Sequence, residues 1–221
     1  GRARLLVKQD GIIAGVEVAR EICASVSKDL EIDIFINDGS PIKKSDIVFE
    51  ISGFQHDILK AERTILNFMQ RMSGIATTTA EYVKLVEGTG TRILDTRKTT
   101  PGLRLVEKEA VRIGGGTNHR IGLYDMIMLK DNHIDFAGGI ENAVAKARKY
   151  LSDTNRKLKI EVETRNLDDV REVLRIGNVD RIMLDNFDIP TTREAVKIID
   201  RRVETESSGG ITKENLRQYA E

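Results

Sequence analysis

The chain has 221 residues, 32% of them charged and 40% apolar, which is enough for one large domain or two small ones with real cores. Lys+Arg and Asp+Glu are each 35, so no global field draws in nucleic acid or an anionic membrane, and a cationic site has to be made locally. No apolar stretch nears the roughly 20 residues of a spanning helix, and no signal peptide is visible. The single cysteine, Cys23, excludes an internal disulfide and fits a reducing, cytoplasmic setting.

In chain order, Arg4–Gln9 reads as a strand, Gly11–Gly15 as a turn region and Val16–Ser27 as an amphipathic helix with Cys23 on its apolar side. Glu31–Asn37 alternates strictly, with Ile32, Ile34 and Ile36 on one face. Asp38-Gly39-Ser40-Pro41 is a turn and Asp46–Ser52 another strand. Together these predict a small open sheet with a helix on one face. Lys43-Lys44 follows the turn but lacks the surroundings of a swinging-arm lysine, so the segment is scaffold.

From Ala61 to Glu87, Ile65, Leu66, Phe68, Met69, Met72, Ile75 and Ala76 recur at three- and four-residue steps, the pattern of a helix. Gly74 is expected to mark a kink or a junction between two helices. Further helices are expected over Leu103–Ile113, Ile140–Tyr150, Leu167–Ile176 and Thr191–Asp200, with Asn166 as an N-cap and Pro190 opening the last.

Between these segments, short apolar runs stop on charged residues. Arg92-Ile93-Leu94 stops at Asp95, Met126–Leu129 at Lys130, Lys159–Val162 at Glu163, Ile182–Leu184 at Asp185, and Arg202–Thr205 at Glu206. Strands of this kind alternating with helices predict a parallel β/α barrel whose site lies at the C-terminal strand ends. Five strands fall short of eight. The chain opens on Gly1 and stops at Ala220-Glu221 inside a helical pattern without a C-cap, so it reads as part of a longer protein.

Charged clusters sit at these strand ends. Thr96-Arg97-Lys98-Thr99 offers a planar donor fork and a point charge to phosphates or carboxylates, although an Arg-Lys pair alone is usually a solvated turn. Gly114-Gly115-Gly116-Thr117-Asn118-His119-Arg120 lets backbone approach a ligand closely, or simply makes a tight turn after a helix. Lys130-Asp131-Asn132-His133 contains either a ligand histidine or a hydrogen-bonded loop histidine. Glu161 and Glu163 share parity, and Asp185 would lie beside them. Such carboxylates suit a hydrated Mg2+, or interior salt bridges with Lys130 or Lys98. Ser207-Ser208-Gly209-Gly210 after a late strand has the character of a phosphate loop.

Together with Glu62-Arg63-Thr64 and Ser73-Gly74-Ile75-Ala76-Thr77, these runs closely resemble the quinolinate phosphoribosyltransferase family over nearly the whole chain. The resemblance runs through Asp95–Thr99, Pro101–Arg104, Gly114–Arg120, Leu129–His133, Glu161–Glu163, Leu184–Asn186 and Ser208–Gly210. It implies an α/β fold, with an N-terminal α/β sandwich and linking helices over 1–90 and an incomplete barrel of the seven-stranded type over 91–221. It also implies a decarboxylating transfer from 5-phosphoribosyl 1-diphosphate to quinolinate, giving nicotinate mononucleotide in NAD biosynthesis, by a homodimer or higher homo-oligomer with shared sites.

Position by position, the resemblance implies that Arg63 reaches a partner subunit's site. Thr96, Arg97, His119, Arg120 and Lys130 would then line the quinolinate pocket, with Lys98 near both substrates. Glu163 and Asp185 would bind the donor ribose and Mg2+, and Ser208, Gly209 and Gly210 its 5-phosphate. Lys98, Glu163 and Asp185 would carry the catalysis. The family's N-terminal segment, and its last barrel strand with a second Gly-rich loop, are not among these residues. Two other readings are a related enzyme acting on nicotinate without decarboxylation and a silent paralogue that only binds a phosphorylated ligand. The number of cations argues against the first, and the intact charged set against the second.

Overall fold

The alternation at Glu31–Asn37 forms a strand, β3 (Glu31–Ile34), in an antiparallel sheet of order β1 (Arg2–Leu6), β5 (Ile47–Ser52), β3. The computed structural model describes all 221 residues and divides into two compact units, Gly1–Ile121 and Gly122–Glu221. In the first unit, Ile32 and Ile34 lie beside Ile51 and Phe49 of β5. They pack with Val16, Ala19 and Cys23 of α1 (Val16–Val26), as the alternation predicts. Burial of Cys23 pushes its thiol pKa up, which suits a core-filling role.

Two expectations in this unit are corrected. Gly11-Ile12 is not a turn but a short strand, β2, paired with β4 (Pro41–Ile42). Backbone N–H groups of Ile12 and Ala14 donate to Thr77 Oγ1 at 2.9 Å and Ser73 Oγ at 3.0 Å, so hydroxyls on the following helix hold this segment. That helix, α2, runs unbroken from Gln55 to Leu85 and passes straight through Gly74. Its stripe of Ile58, Ala61, Ile65, Met69, Met72 and Ala76 is buried. At about 1.5–3 kcal/mol for each large apolar side chain, this outweighs the roughly 0.5–1 kcal/mol that one mid-helix glycine costs.

The run Arg92–Asp95 also differs from expectation. It makes no sheet strand. Leu94 forms one isolated parallel bridge to Thr117. α3 (Arg104–Ile113) then packs on α2, and Gly114 at its end sits so close that a Cβ there would lie 2.4 Å from the Ala76 carbonyl oxygen. The change of pattern at residues 90/91 therefore falls inside the first contact unit.

In the second unit, β6 (Ile127–Leu129), β7 (Ile160–Thr164), β8 (Arg181–Asp185) and β9 (Glu204–Ser208) form one parallel sheet in chain order. α5 (Ile140–Asp153), α6 (Leu167–Ile176) and α7 (Ile189–Ile199) supply the crossovers. Leu129, Ile160, Val162, Ile182 and Leu184 face Val144, Val170, Val173, Ala195 and Ile199 in one core. Asn166 caps α6 as expected, its Oδ1 accepting from Asp169 N at 2.9 Å. α7 opens two residues earlier than expected because Asp188 caps it, accepting from Thr191 N at 2.8 Å.

Two strand ends are shifted. Lys130–His133 is not a loop: Lys130 is the N-cap of α4 (Asp131–Ala137), and His133 Nδ1 accepts from Lys130 N at 3.0 Å. β9 ends at Ser208 rather than Glu206, so Ser207 and Ser208 belong to the strand and the loop begins at Gly209. Beyond it lies only a short helix, α8 (Leu216–Ala220). The α/β class stands, with four parallel strands in the sheet instead of five.

Candidate active site

In the first unit, the expected cations lie on loops that are tied down by one face of α3. Arg104, Glu107 and Lys108 are spaced i, i+3 and i+4, and so share that face. Arg104 Nη2 donates to Arg97 O at 3.4 Å, its Nε to Thr99 Oγ1 at 3.3 Å and its Nη1 to Ile121 O at 3.1 Å. Glu107 accepts from Thr100 N at 3.1 Å and from Arg71 Nε at 2.6 Å. Burial pushes the Glu107 carboxyl pKa up, but hydrogen bonds from Arg71 and Thr100 outweigh it and hold the group below the ordinary carboxylate range.

Lys108 is almost wholly buried and pairs with Asp95, while its Nζ also donates to His119 O at 3.2 Å. The same Asp95 Oδ1 accepts from His119 N at 2.8 Å. Asn118, turned as its neighbours demand, donates to Asp95 Oδ2 at 2.8 Å and Lys108 O at 2.9 Å. The start of the Thr96–Lys98 loop and the Thr117–Arg120 loop therefore share one carboxylate.

Of the expected residues here, Thr96 accepts from Lys98 N at 3.0 Å, which turns the chain so that Lys98 is exposed. Arg97 is half-buried, and its Nε is buried without a hydrogen-bond partner. An unmet guanidinium N–H in a site built for carboxylates is a donor available to a ligand. His119 and Arg120 are half-buried. Arg63 lies on the exposed side of α2, away from Ile65 and Met69.

In the second unit, strand register places the chemistry on one face. Glu161, Arg181 and Glu204 stand side by side, and further along come Glu163 beside Met183 and Asp185 beside Ser208. Lys130 Nζ lies 3.4 Å from Glu163 Oε2. Below, Arg181 meets Glu204 at 2.8 Å, Glu206 at 3.1 Å and the fully buried Glu161 at 3.8 Å. Burial works against the Arg181 charge, but the Glu204 hydrogen bond and the Glu161 and Glu206 charges raise its pKa on balance. Glu161 and Glu163 do point the same way, as their parity predicts.

At the end of β9 the backbone turns sharply. Gly209 and Gly210 both have positive φ, 91° and 68°, and Asn186 N donates to Ser208 O at 2.7 Å. A Cβ on Gly209 would fall 2.1 Å from Asn186 Oδ1, so only glycine fits. Asn186 also donates to Asp185 Oδ2 at 2.8 Å, which orients that carboxylate.

Residues 1–73 match the model of the N-terminal domain of quinolinate phosphoribosyl transferase, and residues 75–221 match that of its C-terminal domain. The chain belongs to this family. It is 46% identical over 235 residues to a chloroplastic nicotinate-nucleotide pyrophosphorylase [carboxylating] of Arabidopsis thaliana, covering 99% of this chain and 66% of that protein. It is 42% identical over 214 residues to a probable nicotinate-nucleotide pyrophosphorylase [carboxylating] of Bacillus subtilis, covering 97% of this chain and 73% of that one. The solved nicotinate-nucleotide pyrophosphorylase of Francisella tularensis superposes with a TM-score of 0.92 at 42% identity, over 99% of this chain and 76% of that one. The chain thus spans just under two thirds, 66%, of the plant family member's length.

Arg71, Arg104, Glu107, Lys108 and Arg181 escaped the reading of the sequence as site residues. For the α3 residues a signal existed. Their i, i+3, i+4 spacing is ordinary for a solvated helix face, but Pro101-Gly102 just before them turns the chain back and lets that face meet the loop.

Proposed function

We propose that the protein to which this chain belongs transfers the phosphoribosyl group of 5-phosphoribosyl 1-diphosphate to quinolinate with decarboxylation. The products are nicotinate mononucleotide, diphosphate and CO2, in de novo NAD biosynthesis. The observation that carries this is the cationic pair Arg97-Lys98, set on a braced loop with an unmet buried Arg97 N–H, in a chain whose relatives carry that activity in their names.

Quinolinate is a dianion and the donor carries several charges, so a site holding both has to be cationic. Arg97, with Thr96, His119, Arg120 and Lys130, would hold the two carboxylates, and the planar Arg fork suits one of them. Lys98 would sit near both substrates and offset charge growing on the departing diphosphate. Glu163 and Asp185 would stabilise positive charge at the anomeric carbon through their carboxylates. Ser208, Gly209 and Gly210 would meet the 5-phosphate; the positive-φ glycines leave backbone N–H groups without side-chain cover. Once the ring nitrogen is ribosylated, the pyridinium accepts the electron pair of the departing 2-carboxylate.

The same two carboxylates suit Mg2+, a hard cation that takes few protein oxygens. Glu163 and Asp185 stand on adjacent strand ends of one face, so this donor set fits. When bound, the ion would supply charge neutralisation to the diphosphate. Arg63, exposed on α2, would complete a partner subunit's site in a homodimer or larger homo-oligomer. No helix is long and apolar enough to cross a membrane. The lone buried cysteine is compatible with the cytoplasm, whereas the Arabidopsis thaliana relative is named chloroplastic.

The test is diphosphate release by the full-length natural protein. It is expected to require both quinolinate and Mg2+. Full activity with nicotinate in place of quinolinate, or none with quinolinate, overturns the assignment.

A further inference from the structure

We propose that Asp95 and Lys108 are positioning residues that lock two cation-bearing loops into one register. The pair is buried, with side-chain exposures of 7% and 3%. Taking both charges out of water costs several kcal/mol per ion, and a matched apolar pair would serve stability as well or better. Stability alone therefore gives no account of it.

What the pair does in geometric terms is specific. Asp95 ends the run that leads into Thr96-Arg97-Lys98. Its Oδ1 accepts from His119 N at 2.8 Å, and its Oδ2 from the Asn118 amide at 2.8 Å. Lys108 reaches from the middle of α3 to the same carboxylate and to His119 O at 3.2 Å. His119 thus has both backbone groups held by one ion pair. The parallel bridge of Leu94 with Thr117 lies immediately before these contacts, with Asp95 N donating to Thr117 O at 3.2 Å. A neutral replacement keeps the backbone bridge but loses the charge-assisted bonds, which are about twice as strong as neutral ones. Arg97 and Arg120 then shift relative to one another, and a rigid dicarboxylate held by both detects that shift.

The substrate used in the test rests on the function proposed above. The variants are Lys108→Met, which strands a buried carboxylate, and the charge-neutral pair Lys108→Met with Asp95→Asn, which removes that penalty if the single change fails to fold. In the folded double variant of the full-length protein, amides of residues 96–98 and 117–119 are expected to exchange hydrogen about tenfold faster together. The quinolinate Kd should rise about tenfold, with that for 5-phosphoribosyl 1-diphosphate changing less than about threefold. Natural exchange rates in both loops, or unchanged quinolinate affinity, overturn the positioning role. If the natural protein itself takes up no quinolinate, the substrate assignment fails instead, and the exchange measurement still decides whether the pair couples the loops.

Discussion

Lys130 and Glu163 meet across the C-terminal ends of two adjacent parallel strands, with Nζ 3.4 Å from Oε2. Glu163 is the more buried of the two, with 9% of its side chain exposed against 46% for Lys130, so the carboxylate depends more on the pairing than the ammonium does. It also stands where a metal-bound donor would want a free oxygen. Glu163→Gln removes the charge but keeps the shape. Mg2+-dependent affinity for 5-phosphoribosyl 1-diphosphate is expected to fall at least about tenfold, while quinolinate affinity stays within about threefold because Lys130 is released rather than lost. Calorimetric titration with each substrate checks this, and an unchanged donor affinity removes Glu163 from the donor site.

Arg97→Ala and Lys98→Ala separate the two jobs assigned to one loop. Arg97 has a buried, unpartnered Nε and a backbone carbonyl held by Arg104, so it is set to bind rather than to move. Its loss is expected to raise the quinolinate KM about 30-fold or more, on the 1.5–3 kcal/mol scale of a charged hydrogen bond, with a smaller change in kcat. Lys98 is exposed, and its loss is expected chiefly to lower kcat. Steady-state kinetics distinguish the two patterns, and unchanged kinetics in Lys98→Ala reject its role.

Glu107 makes a pH prediction. Its carboxyl pKa is held below 4.5 in the folded chain, despite its burial, by Arg71 and Thr100. A depressed folded pKa means the folded state favours the ionised form. The stabilisation is fully present above the unfolded pKa and is lost as pH falls through the folded one. Glu107→Gln is therefore expected to lower the melting temperature at pH 7, with the gap from the natural protein closing below pH 4. A gap that persists unchanged into acid would show that shape rather than charge is what matters at this position.

The helices were legible because their apolar spacing is long and regular. α6 was placed to the residue, and its Asn166 cap was named from sequence. The strand-end rhythm located Lys130, Glu163 and Asp185 on one face because side-chain parity in a strand is fixed by the pleat. It failed at Arg92–Asp95, where an apolar pair before an acid looks like a strand but finds only Thr117 to bridge. It slipped by two residues at Glu204–Ser208, where alternating small and charged residues carry no end signal. The bracing face of α3 was invisible for a different reason. Arg104, Glu107 and Lys108 are residues that sequence logic assigns to water, and only tertiary contact with Asp95, Arg97 and Thr100 buries them.

Asn166 gives a stability test away from the site. Its Oδ1 accepts from Asp169 N at 2.9 Å, satisfying one of the first orphan donors of α6. Asn166→Ala is expected to cost about 1 kcal/mol in denaturant unfolding with kinetics unchanged. A loss of activity at constant stability would instead tie the start of α6 to the chemistry.

Gly209 joins backbone strain to donor binding. Its φ of 91° is rarely adopted by residues with a Cβ, and the added atom would lie 2.1 Å from Asn186 Oδ1. Gly209→Ala therefore has to push Asn186 aside, and Asn186 is the residue whose Nδ2 holds Asp185 Oδ2 at 2.8 Å and whose N holds Ser208 O at 2.7 Å. The backbone penalty alone is about 1–3 kcal/mol. Functionally, the change displaces the Asp185 carboxylate and the phosphate loop together, so donor KM is expected to rise about tenfold or more with quinolinate KM nearly constant. Asn186→Ala opens the space without adding strain, so the double variant Gly209→Ala/Asn186→Ala should recover stability but not donor affinity. Recovery of both would mean that steric relief is all the loop requires, and that Asn186 has no part in orienting Asp185.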